Sequence, residues 1–512
     1  KTDYTYFGNT GDQRLSEIKN YVWGMFSNTP LSKFDYTYNP VGTIASWTQQ
    51  ADSSTAVVNT LSYDNADQLV VAAAVPSGGT GTTNQYNYDP AGNRLAETTL
   101  SGTTVTGVTG GLFNNLNQLT TLGGSTTLTT VSGTTSLAAS SVIVNGVNAT
   151  VTGTAYSVSI PTLNGTNTLN ITAKPTSGAP VTQRFAITAT GSATTTLTYD
   201  ANGNTTTDEK GNTYKWDARN RLTKMTYPDT SYSTFAYDGL SRRTQIAEYD
   251  SSHSLTSTKN YLWIGSEIAE ERDSSNAVTK RFFPQGEQQA GTSYYYSFDH
   301  LSSVREMVDG SGTIVARYGY DTYGRTTLVS GSNLAAFQYT HYYYHANSEL
   351  NLTMYRAYNS NTGRWLNRDI IQEKGGFNLY KYAKADPACF TDPLGLDTTT
   401  MSITITPHIL SNPDVSITAQ SSCCKHLEFI QLTRSRYTYT SWSGLQNDPA
   451  GTPFYPSTGG VDPKTGHPNG SPISMPDGPG PGAEPTEWGS GVVENAFMNL
   501  VAIMTNGLIQ DF

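Results

Sequence analysis

Two aspartates, Asp369 in "NRDII" and Asp392 in "FTDPLGLD", stand 23 residues apart, and Arg368 precedes the first. Carboxylates brought into one place cannot both ionise cheaply. When they share a proton, one can activate water while the other donates to a carbonyl oxygen, the chemistry of aspartyl hydrolysis. An arginine beside them can hold one carboxylate ionised. The residues after Asp392 suit the presentation of a bond: Pro393 fixes a turn, Gly395 is flexible, and Leu396 anchors an apolar end before Asp397. Spacing does not bring two aspartates together, so the elements around them must.

Composition restricts the alternatives. The chain has 512 residues, too many for one small core, with 14% charged residues, 47 Gly and twice as many Tyr (33) as Phe (16). That vocabulary favours β structure with many turns, and Tyr suits sheets with one face at water. The net charge of −10 excludes a nucleic-acid-binding surface over the whole chain. Cys389, Cys423 and Cys424 make neither a disulfide framework nor a zinc pattern. No P-loop, dinucleotide fingerprint or His-Glu-x-x-His is present, so no cofactor or metal is expected. No run reaches membrane-spanning length, so no membrane span is expected. No signal peptide opens the sequence, which is expected to be a piece of something longer.

A repeat organises most of the chain. "YNPVGTI", "YDNADQL", "YDPAGNRL" and "FNNLNQL" begin at 38, 63, 88 and 113, a step of 25 residues. "YDANGN" from Tyr199, "WDARNRL" from Trp216, "YDGLSRR" from Tyr237, "FDHLSSVREM" from Phe298, "YDTYGRT" from Tyr320 and "YNSNTGRWL" from Tyr358 continue it. In each, an aromatic ends one strand, Asp or Asn turns the chain, Gly or Asn supplies positive φ, and a new strand starts. Hairpins of this kind stack into a continuous antiparallel sheet.

These units resemble the YD repeats of the Rhs family, of insecticidal toxin-complex shells and of teneurins. The resemblance is closest from "YGYDTYGRT" (318–326) through "YRAYNSNTGRWLNRDIIQEKGGFNLYKYAKADPACFTDPLGL" (355–396), which is similar to the Rhs-associated core. It implies a spiralling sheet forming a hollow shell, and a core that is an aspartyl autoprotease. Residue by residue it implies Arg368, Asp369 and Asp392 as catalytic, with cleavage between Leu396 and Asp397. One departure stands out. The family's first motif reads Asp-Pro-hydrophobic-Gly, whereas here it reads Asp369-Ile370-Ile371-Gln372, which could loosen the turn that aims Asp369.

The expected fold is all-β: a spiralling antiparallel YD-repeat shell with an inserted small sandwich and a mixed, partly irregular tail. The expected domains are shell at 1–124 and 192–315, an insert at 125–191, the core with its autoprotease motif at 316–396 and a variable region at 397–512. The insert carries only Lys174 and Arg184 as charges, and its short alternating strands around Asn145-Gly146 are similar to bacterial Ig-like modules. In the tail, ten acidic residues face four basic ones, unlike a phosphate-binding nuclease. Residues 448–488, rich in Pro and Gly, read as a linker. Val493, Phe497, Leu500, Met504 and Leu508 mark one face of a helix, for docking or, less simply, for a membrane. Cys424-Lys425-His426 is set aside as a catalytic site.

Two functions are consistent with these features. The first is a secreted or surface-bound bacterial shell that encloses its own C-terminal region as an effector and releases it by cutting after Leu396. A secretion carrier and an immunity protein would be its partners. The second is a cell-surface structural or adhesive protein whose core is inert.

Overall fold

The computed structural model describes residues 1–396, apart from short stretches at 9–10, 23–27, 126–127, 146, 161, 163–164 and 190–193. Beyond them it describes three strands, Met401–Ile405, Val415–Gln420 and Phe429–Arg434. Residues 1–398 form one compact unit and 399–512 a second. The three strands of the second unit pair antiparallel in sequence order. The expected linker at 448–488 and the helical face from Val493 lie outside the described residues.

Each repeat becomes a hairpin because its turn is locally specified. Tyr38, Tyr63, Tyr88 and Phe113 each end a strand, and the next strand pairs back at once. The result is an 11-stranded sheet running in sequence order from Thr2–Tyr6 to Leu119–Ser125, closed by Thr194–Thr196. A second sheet of 14 strands runs, again in order, from Thr198–Tyr199 to Thr326–Gly331. Its last hairpin pairs Ile314–Tyr320 with Thr326–Gly331, so the expected boundary at 315/316 falls inside a continuous sheet.

The tyrosines do more than present a wet hydroxyl. Tyr63 donates to the Ile44 carbonyl and Tyr88 to the Leu69 carbonyl, each at 2.8 Å. Tyr237 reaches Leu222 at 2.9 Å and Tyr320 reaches Val304 at 2.7 Å. Trp216 and Trp263 do the same with their indole N–H, on Thr205 and Arg243, at 2.7 Å. Every acceptor lies at the start of a strand in the preceding hairpin, so each aromatic ties its repeat to the one before. The hydroxyl is spent on a neighbour rather than on water, which spares a buried polar group roughly 1–3 kcal/mol.

The insert forms a three-stranded and a four-stranded sheet. Val142, Val144 and Leu169 of one and Val158 and Ile160 of the other share a buried cluster. Ala139–Val144 pairs with Val147–Asn148 around the Asn145-Gly146 signal.

After the second sheet comes a four-stranded sheet, Tyr343–His345, Leu350–Leu352, Ala357–Asn359 and Arg364–Trp365. Leu350, Leu352, Ala357 and Leu366 bury themselves against Leu222, Met225, Phe235, Ile246 and Ile268 of the second sheet. Each such side chain contributes about 1.5–3 kcal/mol. On its other side Tyr339, Tyr342, Tyr358, Trp365 and Tyr382 form an aromatic cluster. This plug also bonds the turn rows of both large sheets. Arg364 donates to Asn93 at 2.9 Å, Asn378 to Asn93 at 2.8 Å, and Thr205 to the Leu366 carbonyl at 2.8 Å.

Candidate functional site

The site is assembled from the same turn that builds the sheets. At Asp89, Oδ1 accepts the N–H groups of Ala91 and Asn93 at 2.9 Å, and the Gly92 N–H donates to the Asp89 carbonyl at 2.9 Å. Gly92 has φ of +76°. The second carboxylate oxygen, Oδ2, takes the side chain four residues on, here Asn93 at 2.8 Å. Asp200 with Asn204, Asp217 with Arg221 and Asp238 with Arg242 repeat this pattern.

Asp369 and Asp392 open turns of the same kind, but their Oδ2 atoms are sent elsewhere. At Asp369, Oδ1 accepts the Ile371 N–H at 3.0 Å and the Gln372 N–H donates to the Asp369 carbonyl at 3.1 Å. At Asp392, Oδ1 accepts the Leu396 N–H at 2.8 Å and the Gly395 N–H donates to the Asp392 carbonyl at 3.1 Å. Both Oδ2 atoms then lie on one nitrogen, Nη2 of Arg356, at 2.9 and 2.6 Å. The two carboxylates therefore sit within a few ångströms of each other, and a guanidinium meets their mutual repulsion. The departure at Gln372 leaves this turn formed: Gln372 takes φ of +56°, in the left-handed region, just as Gly395 takes +74°.

Arg356 is held from every side. It sits in the tight connection between Leu350–Leu352 and Ala357–Asn359, where its N–H donates to Thr353 Oγ1 at 3.0 Å. Its guanidinium lies 4.3 Å from the Trp365 ring centroid, and its Nε donates to the Gly395 carbonyl at 2.6 Å. Gly395 is obligatory here, because a Cβ would stand 2.5 Å from Thr353 Oγ1. Tyr342 donates to the Asp392 carbonyl at 2.8 Å and adds a further tie.

Arg368, expected to orient the carboxylates, is not the arginine that contacts them. Its Nε is buried without a hydrogen-bond partner among the described residues, and a Cβ on Gly203 would stand 2.4 Å from it. Arg368 lies against the Gly203 turn, whereas Asp369 meets Arg356. Pro393 is exposed, Leu396 is half-buried, and Asp397 lies outside the described residues. Sequence reasoning missed Arg356 and Tyr342. Arg356 stands in the quoted "YRAYNS" run, and nothing in its spacing from the two aspartates announced that it would reach them. Among the described residues, no group of three or more His, Cys, Asp or Glu is placed to hold a metal.

Comparison with known proteins matches the RHS Repeat family over residues 216–248 and the Teneurin YD-shell family over residues 272–388. Residues 216–248 and 272–388 thus carry YD repeats of the RHS and teneurin type. The YD-repeat chain is 30% identical over 216 residues to the tRNA3(Ser)-specific nuclease WapA of Bacillus spizizenii, a match covering 39% of this chain and 9% of the relative. It is 24% identical over 227 residues to Toxin subunit YenC1 of Yersinia entomophaga, covering 39% of this chain and 23% of that one. The sequence thus spans a minor part of the lengths of these relatives. Among solved structures, TcdB2-TccC3 aligns over 77% of this chain and 27% of the other, at 15% identity and a TM-score of 0.34. No helix among the described residues is long and apolar enough to cross a membrane.

Proposed function

We propose that this chain is the core-bearing part of a secreted bacterial YD-repeat shell that cleaves itself after Leu396 and thereby releases residues 397–512 as an effector. The observation that carries this reading is the convergence of Asp369 and Asp392 on Arg356, with the Leu396 N–H already held by Asp392. Arg356 fixes the Gly395 carbonyl and Asp392 fixes the Leu396 amide, so the two residues before the cut are held at the paired acids. Asp369 takes a proton from water, the oxygen attacks the Leu396 carbon, and the proton passes to the amine of Asp397 as the C–N bond breaks. Enclosure of the released piece, a carrier and an immunity protein belong to the same reading. The insert acts as a spacer at a hairpin tip.

Intact-mass measurement tests the cut. Wild-type chain in neutral buffer is expected to split between Leu396 and Asp397 without added protease, with the two pieces remaining associated. Asp392→Asn is expected to stay at full length. Wild-type protein that persists intact for days removes the autoprotease reading and leaves a structural or adhesive surface protein in its place.

A further inference from the structure

Beneath the connection that carries Arg356 lies a small cavity walled by Trp216, Leu222 and Phe235, with Tyr237, Arg243 and Arg356 also on its lining. It measures about 20 Å³. By that measure a single water needs roughly 10–15 Å³, so the space suits one small particle and no polyatomic anion.

Arg243 is 3% exposed. Its Nη1 donates a long hydrogen bond to the Thr353 carbonyl at 3.4 Å, and the guanidinium lies near enough to the Tyr237 hydroxyl to favour its ionised form and 5.6 Å from the Tyr343 ring centroid. Nε and Nη2 are buried without a hydrogen-bond partner among the described residues. No carboxylate lines the cavity. Glu271, which accepts the Tyr343 hydroxyl at 3.4 Å, is already paired with Lys259 at 3.7 Å. Arg356 has committed Nη2 to the two aspartates and Nε to Gly395.

An arginine cannot shed its proton in a protein, so Arg243 remains a cation. A buried cation without a counter-charge is strongly unfavourable. Water would satisfy its N–H groups but not its charge, whereas a small anion does both. We propose that the cavity is a binding site for one monatomic halide, chloride in ordinary buffers, held by Nε and Nη2 of Arg243. The apolar part of the wall lowers the local dielectric and strengthens the attraction. The site does not depend on cleavage: its donors are distinct from the groups that hold the aspartates.

A halide that binds only the native chain raises stability by mass action. Unfolding midpoints are measured in chloride, bromide and gluconate at equal ionic strength, for wild type and for Arg243→Met. The expected result is a wild-type midpoint that rises with the logarithm of chloride or bromide concentration and stays level in gluconate. Arg243→Met is expected to lose the difference among the salts. If that variant does not fold, bromide-soaked wild-type crystals decide, through an anomalous peak within hydrogen-bond distance of Nε and Nη2. Equal midpoints in chloride and gluconate, or a bromide map without that peak, overturn the site. Either result stands whether or not Leu396 is cut.

Discussion

Arg356 combines three contacts that no lysine can reproduce: a nitrogen shared by two carboxylates, an N–H on the Gly395 carbonyl, and a planar face on Trp365. Arg356→Lys is therefore expected to slow cleavage after Leu396 at least ~10-fold, and Arg356→Met to destabilise the chain by about 3–5 kcal/mol by leaving two carboxylates without their cation. Intact-mass time courses and denaturant unfolding measure the two effects, and a lysine variant that cuts at the wild-type rate would discard this role. Gln372 offers the opposite kind of test. It is exposed and held at φ of +56°, where a side chain is strained. Gln372→Gly is expected to raise stability by about 1 kcal/mol while leaving the Asp369 turn as it is. A loss of stability would mean that the Gln372 side chain is needed. The two aspartates were legible through the resemblance of their motifs to the Rhs-associated core, not through their spacing. Their cation was not, since the grammar of a turn names the donors to Oδ1 and leaves Oδ2 open.

Among the elements, the repeat was legible because its signals are local. An aromatic, an Asx residue and a left-handed position three residues later fix the hairpin before any distant contact forms, as Asp238 does with Ser241 at φ of +65°. The aromatic rungs were not legible, because they join residues 11 to 20 positions apart across the turn between repeats, as in Trp216 with Thr205 and Trp263 with Arg243. The insert shows how little such a sheet needs the chain between its strands. Thr121 pairs with Thr196, Leu122 with Thr195 and Gly123 with Thr194, so the chain leaves and returns at neighbouring positions. Deleting 125–191 and joining the flanks by a short turn is expected to keep the β signature in far-UV circular dichroism and a cooperative unfolding transition. An insoluble or unfolded product would make the insert part of the sheet's own core.

At the scale of the whole first unit, stability rests on contacts between segments hundreds of residues apart, which no local signal announces. Arg325 pairs with Glu97 and Arg317 with Asp52, joining the two large sheets. His341 lies where the plug meets the second sheet, stacked on Phe337 at 4.7 Å and edge-on to Phe298 at 5.7 Å. Burial among these rings pushes its pKa from 6.5 down to about 4, against a smaller opposing pull from Glu287. The direction of the pH effect follows. Between these two values the unfolded chain takes up a proton that the folded chain refuses, so the contribution is intact above about 6.5 and declines as pH falls toward 4. Below that both states are protonated and the decline stops. For one group the slope is at most about 1.4 kcal/mol per pH unit. Asn does not titrate and tolerates the positive φ of +59° at this position, so His341→Asn isolates the effect. The stability difference between wild type and His341→Asn, followed by urea unfolding, is expected to shift in the variant's favour across that window and to hold constant above pH 7. A difference that does not change with pH would place the acid sensitivity of the plug on other groups, with the carboxylates of the sheet seam next in line. Burial opposes the ionisation of Glu97, but Arg94 and Arg325 outweigh it and keep its pKa below the usual range, so its contribution fades only at more acidic pH.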